Sequence, residues 1–350
     1  MASMMLDEIL ETPAAIERLL RDGMGAIREA GAAIRAARPR FAVIVARGTS
    51  DHAGTYARYV IETRLGIPAG LAAPSVVTIY GARLEWRDVF LLAISQSGRS
   101  PDLVAVADAA RQGGALTMTV TNEPGSPLAV ASDLVVPCLA GLERSVAATK
   151  TYVAELVSTA AVLGEAAGDR VILESLPMLP DAAASAVAAG QAWLEGPASP
   201  VQAFADAETA LVVGRGFNYA TALEIALKLK EAALLFADGY STADLLHGPI
   251  AVAHRDIQTL AFRAGGSAGA AVDEVIDRLI GTDSPTWVVG DPPDIAGRPV
   301  STCRVGSGVP EVLSPVPLVL PGQLLAESVA RARGLDPDSP PGLAKVTRTV

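Results

Sequence analysis

The stretch V-F-L-L-A-I-S-Q-S-G-R-S-P-D-L-V, residues 89–104, indicates the fold of this chain more clearly than any other. It opens with an apolar run from Val89 to Ile94, which has the length of a buried strand. A loop of small polar residues follows, and Pro101 and Asp102 then open a helical pattern. Because a proline at the first helical position and an acid in the first turn are helix start signals, the stretch predicts a strand, a loop and a helix in that order.

The loop at residues 95–100 carries three serine hydroxyls, a glutamine amide and one arginine. It precedes a predicted helix N-terminus, where the first N–H groups lack partners within the helix and the helix dipole favours negative charge. The loop therefore indicates a phosphate-binding site. An ordinary turn rich in turn-forming residues is the alternative, and a Walker loop is excluded because no G-K-[ST] follows.

Length and composition limit the class of protein. The 350 residues are enough for two domains of ordinary size, and half of them are hydrophobic while only 4% are aromatic. With 28 basic and 38 acidic residues, the net charge is −10. This charge argues against a nucleic-acid partner and against an anionic membrane surface, so a phosphate site would have to be local.

The cysteines and the N-terminal segment add two expectations. Cys138 and Cys303 are the only cysteines, and they lack the spacing of a zinc motif or of a disulfide framework. The segment M-A-S-M-M-L-D-E-I-L has no basic region and no long apolar core, so we expect no signal peptide. We therefore expect a cytoplasmic protein without a metal or another cofactor.

Short apolar runs alternate with helical patterns along the chain. Helices are predicted over 5–37, from the segment 141–152 up to about Gly168, over 169–200 and over 219–235. Strands are predicted over 41–46, 70–73, 89–94, 116–121, 134–137, 211–214, 258–263, 285–289 and 316–320. This alternation predicts an α/β fold with two tandem doubly wound parallel sheets, flavodoxin-like and flanked by helices. Ligands of such sheets bind beyond the carboxyl ends of the strands, where the loops 47–50 and 95–100 both lie.

The repeated strand–loop–helix order indicates an internal duplication. Arg47–Gly48 follows the first predicted strand, and Arg215–Gly216 occupies the equivalent place in the second half of the chain. The predicted domains are an N-terminal helical segment over 1–38, a first domain over 39–168, a helical linker over 169–200, a second domain over 201–335 and a C-terminal tail over 336–350 that closes the site.

The predicted helix over 219–235 carries Glu224, Lys228, Lys230 and Glu231 among apolar residues. Such charges usually form a solvated helix face with i, i+4 pairs. The helix is nevertheless apolar on most sides, which is typical of a buried helix whose charges need partners or a task.

Two further candidates lie in predicted loop and tail regions. His247 is one of three histidines and precedes Gly248–Pro249, so it is either a proton-transfer group or a solvated turn residue. Lys345 lies among small apolar residues near the C-terminus, which is unusual for a frayed tail.

These pieces together resemble the sugar-isomerase (SIS) domain family, and specifically the isomerase half of glucosamine-6-phosphate synthase. The similar motifs run in order over nearly the whole chain: M-L-D-E-I-L-E-T-P-A-A-I, R-G-T-S, S-Q-S-G-R-S, T-N-E-P-G-S-P-L-A, V-A-A-T-K, A-L-E-I-A-L-K-L-K-E, L-H-G-P and L-A-K-V-T.

The resemblance implies roles for individual residues. The implied phosphate binders are Ser50, Ser95, Gln96, Ser97 and Ser100, and further implied substrate contacts are Gly48, Thr49, Val146, Ala148 and Ala344. Glu231 matches the carboxylate that moves a proton between sugar carbons C1 and C2. His247 matches a ring-opening histidine that reaches the site from a neighbouring subunit, which implies a homodimer with shared sites. Lys345 matches a tail lysine that contacts the open-chain sugar, and Lys228 matches a lysine of the same pocket.

Departures from the synthase pattern refine the expectation. The synthase has an N-terminal glutaminase with a terminal cysteine, whereas this chain begins M-A-S, so we expect it not to release ammonia from glutamine. Arg47, Arg99 and Ala148 stand where the synthase has cysteine, glutamate and serine, and the two arginines are expected to strengthen anion binding. The pattern S-Q-S-G-R-S-P-D with a lone pair of SIS domains is most similar to the SIS-type glucosamine-6-phosphate deaminases.

The leading hypothesis is therefore an isomerising deaminase, which converts glucosamine 6-phosphate and water into fructose 6-phosphate and ammonia. The alternatives are a fructosamine-6-phosphate deglycase, a synthase-like isomerising enzyme supplied with ammonia by a partner, and a non-catalytic phosphosugar sensor. A sensor would need the phosphate loops but not Glu231, His247 and Lys345.

Overall fold

The structure is a computed structural model that describes residues 3–291, 300–306 and 308–345. Its contacts divide the chain into two compact units. The unit called here the sheet-1 unit contains residues 14–143, 150–177 and 344–345. The sheet-2 unit contains the described parts of 3–13, 144–149 and 178–343. The domain boundaries taken from the sequence stay a prediction, and residues 346–350 of the predicted tail lie outside the described residues.

Each unit is built on a parallel five-stranded sheet. The sheet-1 unit has the strand order β2-β1-β3-β4-β5, with β1 Phe41–Val45, β2 Ala69–Leu71, β3 Val89–Ile94, β4 Leu116–Thr121 and β5 Leu134–Pro137. The sheet-2 unit has the order β10-β9-β8-β6-β7, with β6 Thr209–Gly214, β7 Phe236–Ser241, β8 Gln258–Arg263, β9 Thr286–Gly290 and β10 Ser301–Arg304. The two orders are the same when counted from the first strand of each sheet, which confirms the predicted pair of doubly wound sheets.

Helices fill most of the remaining described chain. They are α1 Met4–Leu10, α2 Thr12–Asp22, α3 Met24–Ala37, α4 Thr49–Val60, α5 Ser75–Thr78, α6 Pro101–Gln112, α7 Pro127–Val130, α8 Lys150–Ala167, α9 Arg170–Ser175, α10 Leu179–Glu195, α11 Val201–Asp206, α12 Tyr219–Ala233, α13 Thr242–Leu246, α14 Gly269–Gly281 and α15 Pro315–Ala332. The helical stretch predicted over 5–37 consists of three successive helices, α1, α2 and α3.

The strand β3 explains why the quoted stretch is so apolar. All six of its residues are buried, because β3 lies inside the sheet and is covered on both faces. Leu91 and Ala93 pack with Leu103 and Val106 of α6 in one cluster of buried side chains. The strand and the helix that follows it therefore form one packed unit, and the polar loop between them is held at both ends.

One predicted strand is wrong, and two strands escape the sequence analysis. The segment 316–320 lies in α15, which is buried along nearly its whole length, and a fully buried helix gives the same continuous apolar run as a buried strand. The overlooked strands β7 and β10 are the two edges of their sheet. β7 contains Asp238 and Gly239, residue types that are depleted in strands. Gly239 is needed there because a Cβ would lie 2.9 Å from the Leu223 Cα of α12.

Two helical stretches of the described residues are long and apolar enough to cross a membrane by length and composition, namely 170–195 and 311–332. In the second stretch, 94% of the apolar window is buried inside the protein. A core helix of a globular protein passes the same test, so length and composition alone do not identify a membrane span here.

Candidate active site

The two polar loops of the sheet-1 unit follow β1 and β3, which are neighbours in the sheet. The strand order reverses between these two strands, and such a switch point is where doubly wound sheets bind ligands. Gly48 precedes α4 with φ 56°, a left-handed conformation that favours glycine. Ser100 precedes α6 and makes no side-chain capping bond. Two helix N-termini therefore begin at the edge of the sheet where the sequence predicts the phosphate site.

The loop at residues 95–100 is fixed by bonds to its own backbone and to the segment after β4. The buried Ser95 Oγ accepts the N–H of Gly98 at 3.1 Å. The carbonyl of Gln96 accepts the N–H of Asn122 at 3.1 Å. Gly98 has φ 60°, and a Cβ there would collide with the Ser126 side chain. The loop is thus a rigid scaffold, as a preformed anion site requires.

Arg47 follows the first strand and forms an ion pair with Asp102 at the start of α6, so its charge is used within the protein. Its Nε and Nη2 both lie 2.9 Å from Oδ2 of Asp102, a carboxylate in the first turn of α6 that is 1% exposed. The guanidinium therefore offsets a buried negative charge, which weakens the expectation that Arg47 strengthens anion binding. Arg99, the other unusual arginine, is exposed.

Ser50 is also engaged within the protein. Its Oγ donates to Oε1 of Glu155 on α8 at 2.8 Å, and both side chains are buried. Because a serine hydroxyl has one proton, this bond has to be exchanged before the Ser50 hydroxyl donates to a phosphate. Burial raises the pKa of the next residue, Asp51, and nearby His52 and Arg47 oppose that rise only in part.

The tail lysine is held by a buried acid of the same unit. Lys345 Nζ lies 2.8 Å from Oε2 of Glu143, whose side chain is 0% exposed. The other oxygen of Glu143 accepts the N–H of Thr151 at the start of α8, at 3.1 Å. Ala344, the neighbouring predicted substrate contact, is exposed. Glu143 therefore fixes the tail lysine relative to α8.

The sheet-2 unit carries a buried line of charge on α12. Lys228 Nζ lies 3.4 Å from Oε1 of Glu224 and 2.5 Å from Oε2 of Glu231. The side chains of Lys228 and Glu224 are 0% exposed, whereas Glu231 is 23% exposed. Only Lys230 fits the alternative of a solvated helix face, since it is exposed. The arrangement leaves one partly accessible carboxylate whose position is fixed by a buried cation, which suits a group that takes and returns a proton.

The remaining predicted residues of the sheet-2 unit lie in loops. His247 is exposed at the end of α13, where its N–H donates to the carbonyl of Asp244. In the described part of the chain, no hydrogen bond or ion pair joins His247 to Glu231. Val146 and Ala148 are half-buried, and the N–H of Val146 donates to the carbonyl of Asp338 at 3.3 Å.

The structure thus groups the predicted residues in two sets. The sheet-1 unit holds Gly48, Thr49, Ser50, Ser95, Gln96, Ser97, Ser100, Ala344 and Lys345. The sheet-2 unit holds Val146, Ala148, Lys228, Glu231 and His247.

The sequence analysis overlooked the acids that hold the predicted residues in place: Asp102, Glu143 and Glu155. The signal for Glu155 was present, since it is an acid on a helix that is apolar along almost its whole length. Asp102 was read only as a helix start signal. Neither acid reveals its partner in the sequence, because Arg47 and Ser50 are 55 and 105 residues away.

Among the described residues, no group of three or more His, Cys, Asp and Glu side chains could hold a metal ion. Burial raises the pKa of Cys303 to about 12. Burial also raises the pKa of Cys138 well above its usual value, with a smaller contribution from Glu155 and Glu143. Both thiols are therefore protonated near neutral pH and suited to packing.

Known proteins are similar to this chain in sequence and in fold. A family model described as "SIS domain" matches residues 37–163. A glutamine–fructose-6-phosphate aminotransferase (isomerizing) from Gloeobacter violaceus is 34% identical over 97% of this chain. The chain spans 58% of that relative's length, and hence little more than half of it.

Two solved structures extend the comparison. A protein from Silicibacter pomeroyi, provisionally named a phosphosugar isomerase, is 35% identical with a TM-score of 0.89, and the match covers 96% of this chain and all of that one. Glucosamine-6-phosphate deaminase from Thermotoga maritima has a TM-score of 0.80 at 20% identity, over 99% of this chain and all of that one. At that identity the second match shows the fold alone.

Proposed function

Because the chain belongs to the SIS domain family and to its phosphosugar-isomerase type, we propose that it is an isomerising deaminase of glucosamine 6-phosphate. The reaction consumes the amino sugar phosphate and water and forms fructose 6-phosphate and ammonia. The observation that carries this proposal is the partly exposed Glu231 carboxylate, held by the buried ammonium of Lys228. The two rigid loops at the switch point of the sheet-1 unit support a phosphorylated substrate.

Each step of the reaction has a residue of suitable chemistry. The phosphate is bound by Ser50, Ser95, Gln96, Ser97 and Ser100 with the backbone N–H groups at the helix starts. His247 opens the ring by moving a proton from the C1 hydroxyl to the ring oxygen.

The later steps use the open-chain sugar, which Lys345 contacts. Glu231 removes the proton from C2 and delivers it to C1. The C1 carbonyl oxygen gains a proton and the amine nitrogen loses one, so C1 becomes a hydroxymethyl group and C2 becomes an imine. Water then adds to the imine carbon, ammonia leaves, and the C2 ketone of fructose 6-phosphate remains. Gly48, Thr49, Val146, Ala148 and Ala344 contribute further substrate contacts.

We further propose that the enzyme works as a cytoplasmic homodimer without a metal or an organic cofactor, with His247 supplied by the partner subunit. Two observations are compatible with that arrangement. His247 is exposed, and within the described residues no hydrogen bond or ion pair joins it to Glu231.

A second candidate is an isomerising amine transfer in which ammonia adds to fructose 6-phosphate. The 34% identity to an aminotransferase favours it. The two reactions are the same chemistry in opposite directions, so the test measures both. A fructosamine-6-phosphate deglycase would share the fold and the phosphate site, but it would release a different amine, which its substrate carries on C1.

The experiment incubates purified protein with glucosamine 6-phosphate and measures ammonia and fructose 6-phosphate together. Glu231→Gln is expected to lower turnover by about 10²–10⁴-fold, because a positioned acid–base group contributes that factor. Its phosphate affinity should persist, since the loops belong to the other compact unit. Glu274→Gln is the matched control, because Glu274 is an exposed acid that pairs with Arg278.

The outcomes separate the candidates. Product formation only from fructose 6-phosphate and ammonia would favour the synthase-like reaction. Amine release only from a fructosamine 6-phosphate would favour the deglycase. Tight binding of phosphosugars without any turnover would contradict an enzyme and favour a sensor.

The phosphate loops have their own test. A hydrogen bond to a charged group contributes about 1.5–3 kcal/mol, so Ser97→Ala should weaken phosphosugar binding by about ten-fold or more. Titration calorimetry measures the affinity, and an unchanged value would remove this loop from the site.

A further inference from the structure

The second sheet has counterparts of both phosphate loops. Gly216 follows Arg215 after β6 with φ 60°, as Gly48 follows Arg47 after β1 with φ 56°. The loop 264–268 joins β8 to α14, and it corresponds to the loop 95–100 between β3 and α6. Because the strand orders match, these two loops also flank the switch point of their sheet, between β6 and β8. We call the loops 47–50 and 95–100 of the sheet-1 unit the first cradle. The loops 215–218 and 264–268 of the sheet-2 unit occupy the corresponding places and are called the second cradle.

A side chain of the protein occupies this second cradle. One carboxylate oxygen of Glu311 accepts the N–H of Ser267 at 2.8 Å, and the other accepts the N–H of Ala268 at 3.1 Å. These are the N–H groups at the start of α14, a helix of 13 residues, where a phosphate would bind. Gly266 has φ 99°, and a Cβ there would collide with the same carboxylate. The loop is thus shaped around a bound anion that the chain itself provides.

The backbone of Glu311 is held in place by a chain of hydrogen bonds. Ser314 Oγ donates to the carbonyl of Glu311 at 2.7 Å and accepts from Nδ2 of Asn218 at 2.7 Å. Asn218 is 1% exposed and is the N-cap residue of α12, at the end of the other switch-point loop. A cavity of about 250 Å³ adjoins the carboxylate and is lined by Arg263, Gly266, Ser314 and Leu318, among others. There is room beside the cradle for a small anion once the carboxylate is removed.

The first cradle differs at this point. No capping bond comes from the side chain of Ser100 at the start of α6. The acid of that helix start, Asp102, accepts the N–H of Leu103 within its own turn and pairs with Arg47. The charge of Asp102 is therefore offset by Arg47, whereas the two carboxylate oxygens of Glu311 accept two consecutive backbone N–H groups.

We propose that Glu311 is an internal substitute for phosphate and that it restricts the chain to one phosphate site. The proposal rests on the proposed function only in assigning the first cradle to phosphate. It goes beyond that function because it names the residue that excludes inorganic phosphate and phosphomonoesters from the second sheet. Glu311→Ala opens a second anion site of the same class, and Glu311→Gln opens it in part, since an amide is neutral and has one acceptor oxygen.

The experiment measures the stoichiometry of inorganic phosphate binding by equilibrium dialysis, with thermal unfolding at rising phosphate concentration as the second readout. The wild type should bind one phosphate per chain and Glu311→Ala two. Phosphate should raise the unfolding temperature of the variant more steeply than that of the wild type, because a ligand stabilises the folded state that binds it. Glu274→Ala is the control, because it removes a charge from α14 away from the N-terminus of that helix. This variant should behave as the wild type.

A blocked first cradle separates the two proposals. In the background Ser97→Ala with Ser100→Ala, the Glu311→Ala variant should still bind phosphate. If the wild type binds none while Glu311→Ala binds one, the assignment of the first cradle fails and that of Glu311 stands. If folded Glu311→Ala and Glu311→Gln bind no more phosphate than the wild type, the proposal for Glu311 is overturned.

Discussion

Replacing Lys228 by methionine removes a buried cation and leaves its two carboxylates in place. The side chains of Lys228 and Glu224 are 0% exposed, and 3.4 Å separates their charged atoms. Methionine has a similar length and no charge, so the change deletes the charge with little loss of packing volume. We expect Lys228→Met to destabilise the sheet-2 unit strongly.

The size of the effect follows from burial. Removing one partner of a buried ion pair costs about 3–5 kcal/mol, because the remaining charge stays in an environment of low polarity. Glu231 is 23% exposed and can regain water, so most of the cost should come from Glu224. In a Glu224→Gln background the cost of Lys228→Met should therefore shrink by about 1–3 kcal/mol.

Urea unfolding followed by tryptophan fluorescence measures this effect. The chain has three tryptophans, and Trp193 and Trp287 lie in the sheet-2 unit whereas Trp86 lies in the sheet-1 unit. A Trp86→Phe background makes the fluorescence report on the sheet-2 unit alone, which matters because two compact units need not unfold together. Lys230→Met, an exposed change on the same helix, is the control and should stay within about 0.5 kcal/mol of the parent.

An interaction between Lys228 and Glu224 is refuted if Lys228→Met lowers the free energy of unfolding by the same amount in both backgrounds. Additive free-energy costs would show that Lys228 and Glu224 do not interact. The burial of these two charges on α12 would then need another explanation. A cost of Lys228→Met no larger than that of Lys230→Met would contradict the buried ion pair itself.

Three further predictions concern the other charges and the subunit arrangement. Arg47→Met should destabilise the sheet-1 unit by about 1–3 kcal/mol in urea unfolding followed by Trp86 fluorescence, because buried Asp102 loses a charge-assisted bond; no loss would show that Asp102 is stable without it. Burial raises the pKa of Asp51 above 3.8, so the folded state binds its proton more tightly than the unfolded state, and stability falls as the pH rises from about 3.8 through the folded pKa. Asp51→Asn should flatten this part of the stability–pH curve, and an unchanged slope would contradict the burial effect. Mixing inactive His247→Ala with inactive Glu231→Gln protein should restore partial deaminase activity through hybrid dimers, whereas no recovery after demonstrated subunit exchange would assign both residues to one subunit.

Patterns local in the sequence predicted the architecture well. The runs 116–121, 134–137 and 258–263 coincide with β4, β5 and β8, because strand length and the flanking turn signals lie within a few residues of each other. The strand prediction for 316–320 failed because the local pattern there was ambiguous. In α15 the apolar residues surround the helix on every side, so the period that distinguishes helix from strand is absent.

The sequence by itself determined most of the order of strands, loops and helices, the two loops at carboxyl strand ends, and the charged residues on an apolar helix. These features depend on periodicity and on helix start signals, which act over a few residues. Only the tertiary structure decided which charges meet. It pairs Arg47 with Asp102, Lys345 with Glu143, and the carboxylate of Glu311 with N–H groups 43 and 44 residues away. The physical reason is that ion pairs and hydrogen bonds depend on distance in space, and packing of the sheets sets that distance independently of separation along the chain.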